Sequence, residues 1–433
     1  MPNQQAASSL SDVLAAPPAP SIGTGNVDKV LHAVRTHLGM DVAFVSEFRS
    51  SDRVFRHVDA RDRSPIQPGD AAPLEQGYCQ RVVDGRLPEL IPDTGREPVA
   101  LALPETQAIP IGSHLSVPIR LADGRVYGTF CCFSFFADPS LGRRDLQMMK
   151  AFADLVADQL DRDLEQARTF DEKKRRIAGV IAGNEPSIVY QPIYNLQTSQ
   201  VVGAESLSRF RSHPPRSPDE WFADAGQVEL RMELELRAIE KALENLPGLP
   251  QALYLAVNAS PETAAHPSLA ALLAHVDTRR VVVEITEHHH VADYAPLLEQ
   301  LAPLRALGLR IAIDDAGAGY ASMRHILNVQ PDLIKLDMSL TQHIDRDPKR
   351  RALASALIAF ARETDATIVA EGVETVEELE TLKSLGATRA QGYLLGRPMD
   401  VGQLIRVCGE RLSVASSNRA SCDSDSGPRV RER

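Results

Sequence analysis

From about residue 181 onward one rhythm repeats, and it limits the possible folds more than any other feature of the chain. Short apolar runs alternate with stretches of helical period: Ile188–Ile193, Val201–Leu207, Leu253–Val257, Val281–Ile285, Leu309–Ile313, Leu333–Leu336, Thr367–Ala370 and Arg389–Leu395. Buried strands that alternate with amphipathic helices build α/β folds, and eight such strands are the number that closes a TIM-like β/α barrel.

Barrel chemistry sits at the C-terminal ends of the strands. Those ends are polar here in nearly every case: Glu205, Asn258, Glu284 with Glu287, Asp314-Asp315, Lys335 with Asp337, Glu371 with Glu374, and Gln391. So many anions converging on one opening repel one another unless a cation neutralises them. Oxygen donors without His or Cys suit Mg²⁺ or Mn²⁺ better than zinc. Doubled aspartates can serve two metals, an arrangement suited to in-line displacement at phosphorus. An enolase-type site, with one Mg²⁺ steadying an enediolate, has the same ingredients, and spacing alone leaves it open.

The first half has another texture. Val42–Phe48 and Val54–Val58 read as strands, and Leu115–Leu121 and Val126–Phe136 flank the turn Ala122-Asp123-Gly124-Arg125. Asp145–Leu164 carries apolar residues three to four apart, as an amphipathic helix does. Helices on an antiparallel sheet make an α+β domain. The expected organisation is a tail over 1–22, this domain over 23–165, a helical linker over 166–180, the barrel over 181–412 and a tail over 413–433.

With 47 basic and 58 acidic residues the net charge is −11, which argues against nucleic acid as a partner. No apolar stretch approaches the ~20 residues of a membrane helix, so no membrane partner is expected. Cys79, Cys131, Cys132, Cys408 and Cys422 form neither a disulfide framework nor a zinc spacing, and a reducing cytoplasm is the simplest reading.

The second half resembles the EAL family of cyclic di-GMP phosphodiesterases. The resemblance rests on Tyr190-Gln191-Pro192-Ile193, Glu205-Ser206-Leu207 with Arg209, Asn258-Ala259-Ser260-Pro261 and Glu284-Ile285-Thr286-Glu287. It continues through Asp314-Asp315-Ala316-Gly317-Ala318-Gly319-Tyr320, Lys335-Leu336-Asp337, Glu371-Gly372-Val373-Glu374-Thr375 and Gln391-Gly392-Tyr393. It implies hydrolysis of cyclic di-GMP to linear pGpG by a homodimer with a two-metal Mg²⁺ or Mn²⁺ site. One ion would take Glu205, Asn258, Glu284 and Asp314; the second would take Asp314, Asp315 and Glu371. Lys335 would position the water, and Glu371 would be either general base or ligand, two roles that sequence does not separate. Glu287 would brace the loop after the fifth strand, while Gln191, Leu207, Arg209, Gln391 and Glu374 would stand on the substrate side.

Three positions depart from the family pattern: Ser206 for alanine, and Ala316 and Leu395 for phenylalanine. Loss of the aromatic at Ala316 is expected to loosen the loop that carries Asp315, which keeps a non-hydrolysing cyclic di-GMP receptor as the rival reading. The first half resembles a GAF domain, through Gly77–Gly85, Leu90-Ile91-Pro92-Asp93, Ser116–Ile119 and Gly128–Cys132. Such a domain binds a small ligand or none, and Cys131 and Cys132, adjacent on a strand, read as core and edge thiols and not as sensors. His288-His289-His290 reads as a loop, Trp221 as core, and Lys173–Arg176 as a solvated helix face.

Overall fold

In the computed structural model, residues 25–213, 215–285, 293–317 and 320–409 are described. The expected tails, Glu287, His288–His290 and Gly319 lie outside them. The chain divides into two compact units at Thr169/Phe170, inside the stretch read as a linker.

The first unit is a six-stranded antiparallel sheet of β1 (Val42–Phe48), β2 (Asp52–Ala60), β3 (Ala71–Pro73), β4 (Leu90–Ile91), β5 (Ser113–Arg120) and β6 (Val126–Ser134), in the order β3-β2-β1-β6-β5-β4. Strand alternation gives the sheet two apolar faces. Ala43, Val45, Phe130 and Cys132 join the helix Gly25–Leu38 and the start of the helix Arg143–Ala182 in one core. Phe44, Cys131 and Phe133 pack with the short helix Tyr78–Val83 in the other.

All eight expected strands form in the second unit: β7 (Ser187–Asn195), β8 (Gln200–Arg209), β9 (Tyr254–Ala259), β10 (Val281–Ile285), β11 (Arg310–Ala316), β12 (Leu333–Leu336), β13 (Thr367–Ala370) and β14 (Arg389–Ala390). They close a barrel, with one departure from an all-parallel ring: β7 runs antiparallel to both β8 and β14. Its connection to β8 is a tight turn, too short for the crossover that parallel neighbours require.

Period-two alternation then sorts the barrel side chains. Leu255, Val257, Val283, Ile285, Ile311, Ile313, Ile334, Leu336 and Ile368 face the helices in the main core. Ile193, Ala256, Val282, Ala312, Leu333 and Val369 fill the barrel axis. Two residues further along the parallel strands the axis turns polar, at Asn258, Glu284, Asp314, Lys335 and Glu371, and on the antiparallel β7 the matching position is Gln191, two residues before Ile193. An apolar plug therefore underlies a polar layer.

The helix Arg143–Ala182 is continuous through the stretch read as a linker, but its charged run is not wholly solvated. Lys173 and Arg176 bond the buried Asp224 at 3.0 and 2.8 Å. Ile177 and Val180 pack with Trp221, which is core as expected.

Candidate active site

The centre of the polar layer is Lys335, delivered by β12 and 1% exposed. Its Nζ lies 2.7 Å from Glu371, 2.9 Å from Glu284, 3.0 Å from Asp314 and 3.4 Å from Glu205. Burial alone would discharge this lysine, yet the surrounding carboxylates hold it protonated, well above its ordinary range. Burial, reinforced by mutual repulsion, pushes the Glu284 and Glu371 carboxyls well up. Glu205 moves down: burial opposes, but the Lys335 charge and hydrogen bonds from Gln391 and Asn258 prevail.

Adjacent strand residues normally point to opposite faces, yet Asp314 and Asp315 serve one site. The register of β11 on β12 shifts between Ile313 and Ala316, and Asp315 takes a left-handed φ of 54°. That bulge turns both carboxylates toward Glu371. Gly317 follows at φ 108°, where a Cβ would strike Leu340. Ala316 itself is fully buried in the main core and bonds through its carbonyl to Asp337 N at 3.3 Å.

Gln391 donates through Nε2 to Glu205 at 2.6 Å and to Glu371 at 3.2 Å, so it stands between two acidic groups. Its buried Oε1 has no hydrogen-bond partner among the described residues. Asn258 Nδ2 is 3.2 Å from Glu205. On β8 the face that begins at Glu205 steps outward through half-buried Leu207 to exposed Arg209. Gln191 pairs in register with Glu205 and donates to the Gly396 carbonyl at 3.1 Å. Glu374 is exposed on the loop after β13. Asp337 is an ordinary helix cap, accepting from Ser339 N at 2.9 Å. Ser206 points away from the axis and donates to the Ala256 carbonyl at 2.7 Å, which satisfies the hydroxyl added by this departure.

Sequence reading missed the supports beneath this layer. Buried Glu378 accepts from the amides of His343, Glu374 and Thr375 at 2.8–3.1 Å, and Thr341 donates to the Glu371 carbonyl. Together they fix the loop that carries Glu371. The Thr375-x-x-Glu378 capping box was the available clue. Glu235 does the same for the β9 end, accepting from Ser260 N and Oγ at 2.9 and 2.7 Å.

Whether these residues fit divalent cations can be judged from their charge and reach. Four carboxylates against one lysine leave −4 + 1 = −3 in a buried pocket when all are ionised. Oxygens of Glu205, Glu284 and Asp314 lie within 4.8 Å of one another, as do those of Asp314, Asp315 and Glu371. Two all-oxygen trios that share Asp314 fit a pair of hard cations.

Fold and site thus define a β/α barrel with an acidic, lysine-centred opening. Residues 172–398, more than half of the chain, match the EAL domain family, and the chain belongs to that family. Residues 26–160 match the GAF domain. An uncharacterized signaling protein of Caulobacter vibrioides is 29% identical over 82% of this chain and 45% of its own length. The cyclic di-GMP phosphodiesterase RocR of Pseudomonas aeruginosa is 32% identical over 54% of this chain and 63% of its own length. The chain therefore spans about half the length of these relatives. The solved structure of the EAL enzyme Bd1971, bound to cAMP and cyclic di-GMP, shares the fold at a TM-score of 0.54 and 19% identity, covering 85% of this chain and 93% of that one.

Proposed function

We propose that this chain hydrolyses one phosphodiester bond of cyclic di-GMP to give linear pGpG, with Mg²⁺ or Mn²⁺ as cofactor. The observation that carries the reading is Lys335 enclosed by Glu205, Glu284, Asp314 and Glu371, in a chain of the EAL family. Glu205, Asn258, Glu284 and Asp314 would hold one cation, and Asp314, Asp315 and Glu371 the other. When bound, the pair supplies positive charge that stabilises the attacking and leaving oxygens of an in-line displacement.

The chain's own groups do the remaining work. Lys335 donates N–H bonds and holds the attacking water in place, and Glu371, 2.7 Å from Lys335, is set to take its proton. Gln391 keeps Glu205 and Glu371 apart by bonding to both. Arg209, at the rim, offers two N–H groups to a substrate phosphate. Gln191, Leu207 and Glu374 would flank the dinucleotide; Glu287, the residue expected to brace the loop that carries Asp315, lies outside the described residues. We assign a regulatory role to the GAF-like unit, by ligand binding or dimerisation, in a cytoplasmic homodimer. Among the described residues no helix is long and apolar enough to cross a membrane.

The test is chromatography of cyclic di-GMP incubated with the full chain and Mg²⁺ or Mn²⁺. Metal-dependent pGpG that Lys335→Ala fails to make is the expected result. Tight binding of cyclic di-GMP with no product would overturn hydrolysis in favour of a receptor.

A further inference from the structure

Cys131 and Cys132 are neighbours in sequence but not in chemistry. Alternation along β6 sends Cys132 into the helix-covered core, 3.8 Å from Met149 Sδ. Cys131 goes to the opposite face, where its Sγ lies 3.8 Å from that of Cys79, 52 residues away on the helix Tyr78–Val83. All three sulfurs are fully buried.

The Cys79–Cys131 pair has an unusual neighbour for an apolar core. Arg53, on β2 and 2% exposed, divides its guanidinium between two acceptors: Nη1 donates to Cys79 Sγ at 2.8 Å and Nη2 to Glu105 Oε1 at 2.5 Å. A buried guanidinium so placed favours the thiolate. Cys131 instead sits 3.2 Å from Thr129 Oγ1 and 3.1 Å from Ser116 Oγ. The two sulfurs are thus unequal. Burial would push both thiols up. At Cys79 the hydrogen bond from Cys131 and the Arg53 charge bring it well below the ordinary thiol range, while at Cys131 the neighbouring Cys79 adds to the rise. One sulfur is suited to attack an electrophile and the other to resolve the product.

We propose that Cys79 and Cys131 are a modification site at which a small hydroperoxide forms an intramolecular disulfide. The Cys79 thiolate attacks the O–O bond of hydrogen peroxide, forming an S–O bond and expelling hydroxide, which takes up a proton and leaves as water. Cys131 sulfur then attacks Cys79 sulfur, and the displaced hydroxide takes the Cys131 proton and leaves as a second water. The sulfurs lose two electrons and the peroxide gains them. The contact must shorten to about 2.05 Å, which draws the helix Tyr78–Val83 toward β6 and leaves Arg53 with Glu105 as its remaining anionic partner. Full burial of both sulfurs selects a small, neutral oxidant over a bulky disulfide.

The test treats the folded full chain with hydrogen peroxide, alkylates the remaining thiols in denaturant, and maps unreduced peptides by mass. The expected product joins the Cys79 peptide to the Cys131 peptide with the loss of two hydrogens. It persists in Cys132→Ala and is lost in Cys131→Ser, where dimedone captures a sulfenic acid at Cys79 instead. Oxidation of half-buried Cys408 with no Cys79 cross-link would overturn the proposal. So would cross-links to Cys132 as frequent as those to Cys131, because they would arise from unfolded chain. This readout does not depend on the activity of the barrel.

Discussion

Lys335 Nζ stands 2.7 Å from Glu371 Oε1 and is, among the described residues, the one cation ion-paired with four carboxylates from four positions around the barrel. It neutralises part of the charge that a divalent cation would neutralise, so the two compete electrostatically. Lys335→Ala is expected to bind Mn²⁺ at least as tightly as the parent in calorimetry. Turnover of cyclic di-GMP should nevertheless fall by about 10²–10⁴-fold, the usual cost of removing a positioned acid–base partner. A parallel loss of metal affinity would mean that Lys335 organises the carboxylates and does not act on the water.

The buried excess of negative charge also predicts that divalent cations stabilise the fold. At a hundred times its Kd, a cation that binds only the native state adds about 2.7 kcal/mol. The chain stripped with a chelator should melt lower than with Mg²⁺ or Mn²⁺, and Glu205→Gln should shrink the difference. A melting temperature indifferent to both cations would remove the two-cation assignment.

Asp315 makes separate demands on backbone and side chain. Its φ of 54° is tolerated by Asn but strained for a β-branched residue, by about 1–2 kcal/mol. Asp315→Asn is expected to keep the melting temperature while losing activity, and Asp315→Val to lose both. Equal melting temperatures for the two variants would contradict the bulge as the device that orients the aspartates.

That bulge marks the limit of what sequence pattern reveals. All eight barrel strands and the polar layer at their ends were readable, because period-two burial and strand-end polarity are local properties. Strict alternation, however, would send Asp314 and Asp315 to opposite faces, and only backbone geometry shows how both serve one site. The reversed direction of β7 was implicit in the short connection after Asn195 but not in its apolar run. Glu378, Thr341 and Glu235 escaped notice because each acts on backbone amides or carbonyls distant from its own motif. Cys79 and Cys131 likewise meet only through the packing of a short helix on the sheet.

Asp224 gathers Lys173, Arg176 and Arg216 around one carboxylate and fastens the end of the long helix beside Trp221. Trp221 in turn stacks on Phe210 at 5.2 Å, one residue beyond Arg209 on β8. Asp224→Ala leaves three cations facing one another and is expected to cost about 1–3 kcal/mol in denaturant unfolding. Asp224→Asn should fall between the parent and Asp224→Ala, because it keeps acceptors but not charge. If both variants unfold at the parent's midpoint, the cluster does not hold the helix.

His114 gives the first unit a definite acid sensitivity. Burial, aided by the Arg53 charge, holds its pKa down to about 3, and its Nδ1 lacks a hydrogen-bond partner among the described residues. The unfolded chain takes up this proton near pH 6.5, whereas the folded chain does not until about pH 3. The neutral ring therefore contributes its full stability above pH 6.5, and that contribution is lost as pH falls toward 3. The slope is about 1.4 kcal/mol per pH unit for one such group. His114→Gln should flatten this part of the pH–stability curve of the full chain, read from near-UV circular dichroism of the first unit's tyrosines. An unchanged slope would show that the folded chain takes up this proton as readily as the unfolded one, so that burial does not hold the ring neutral.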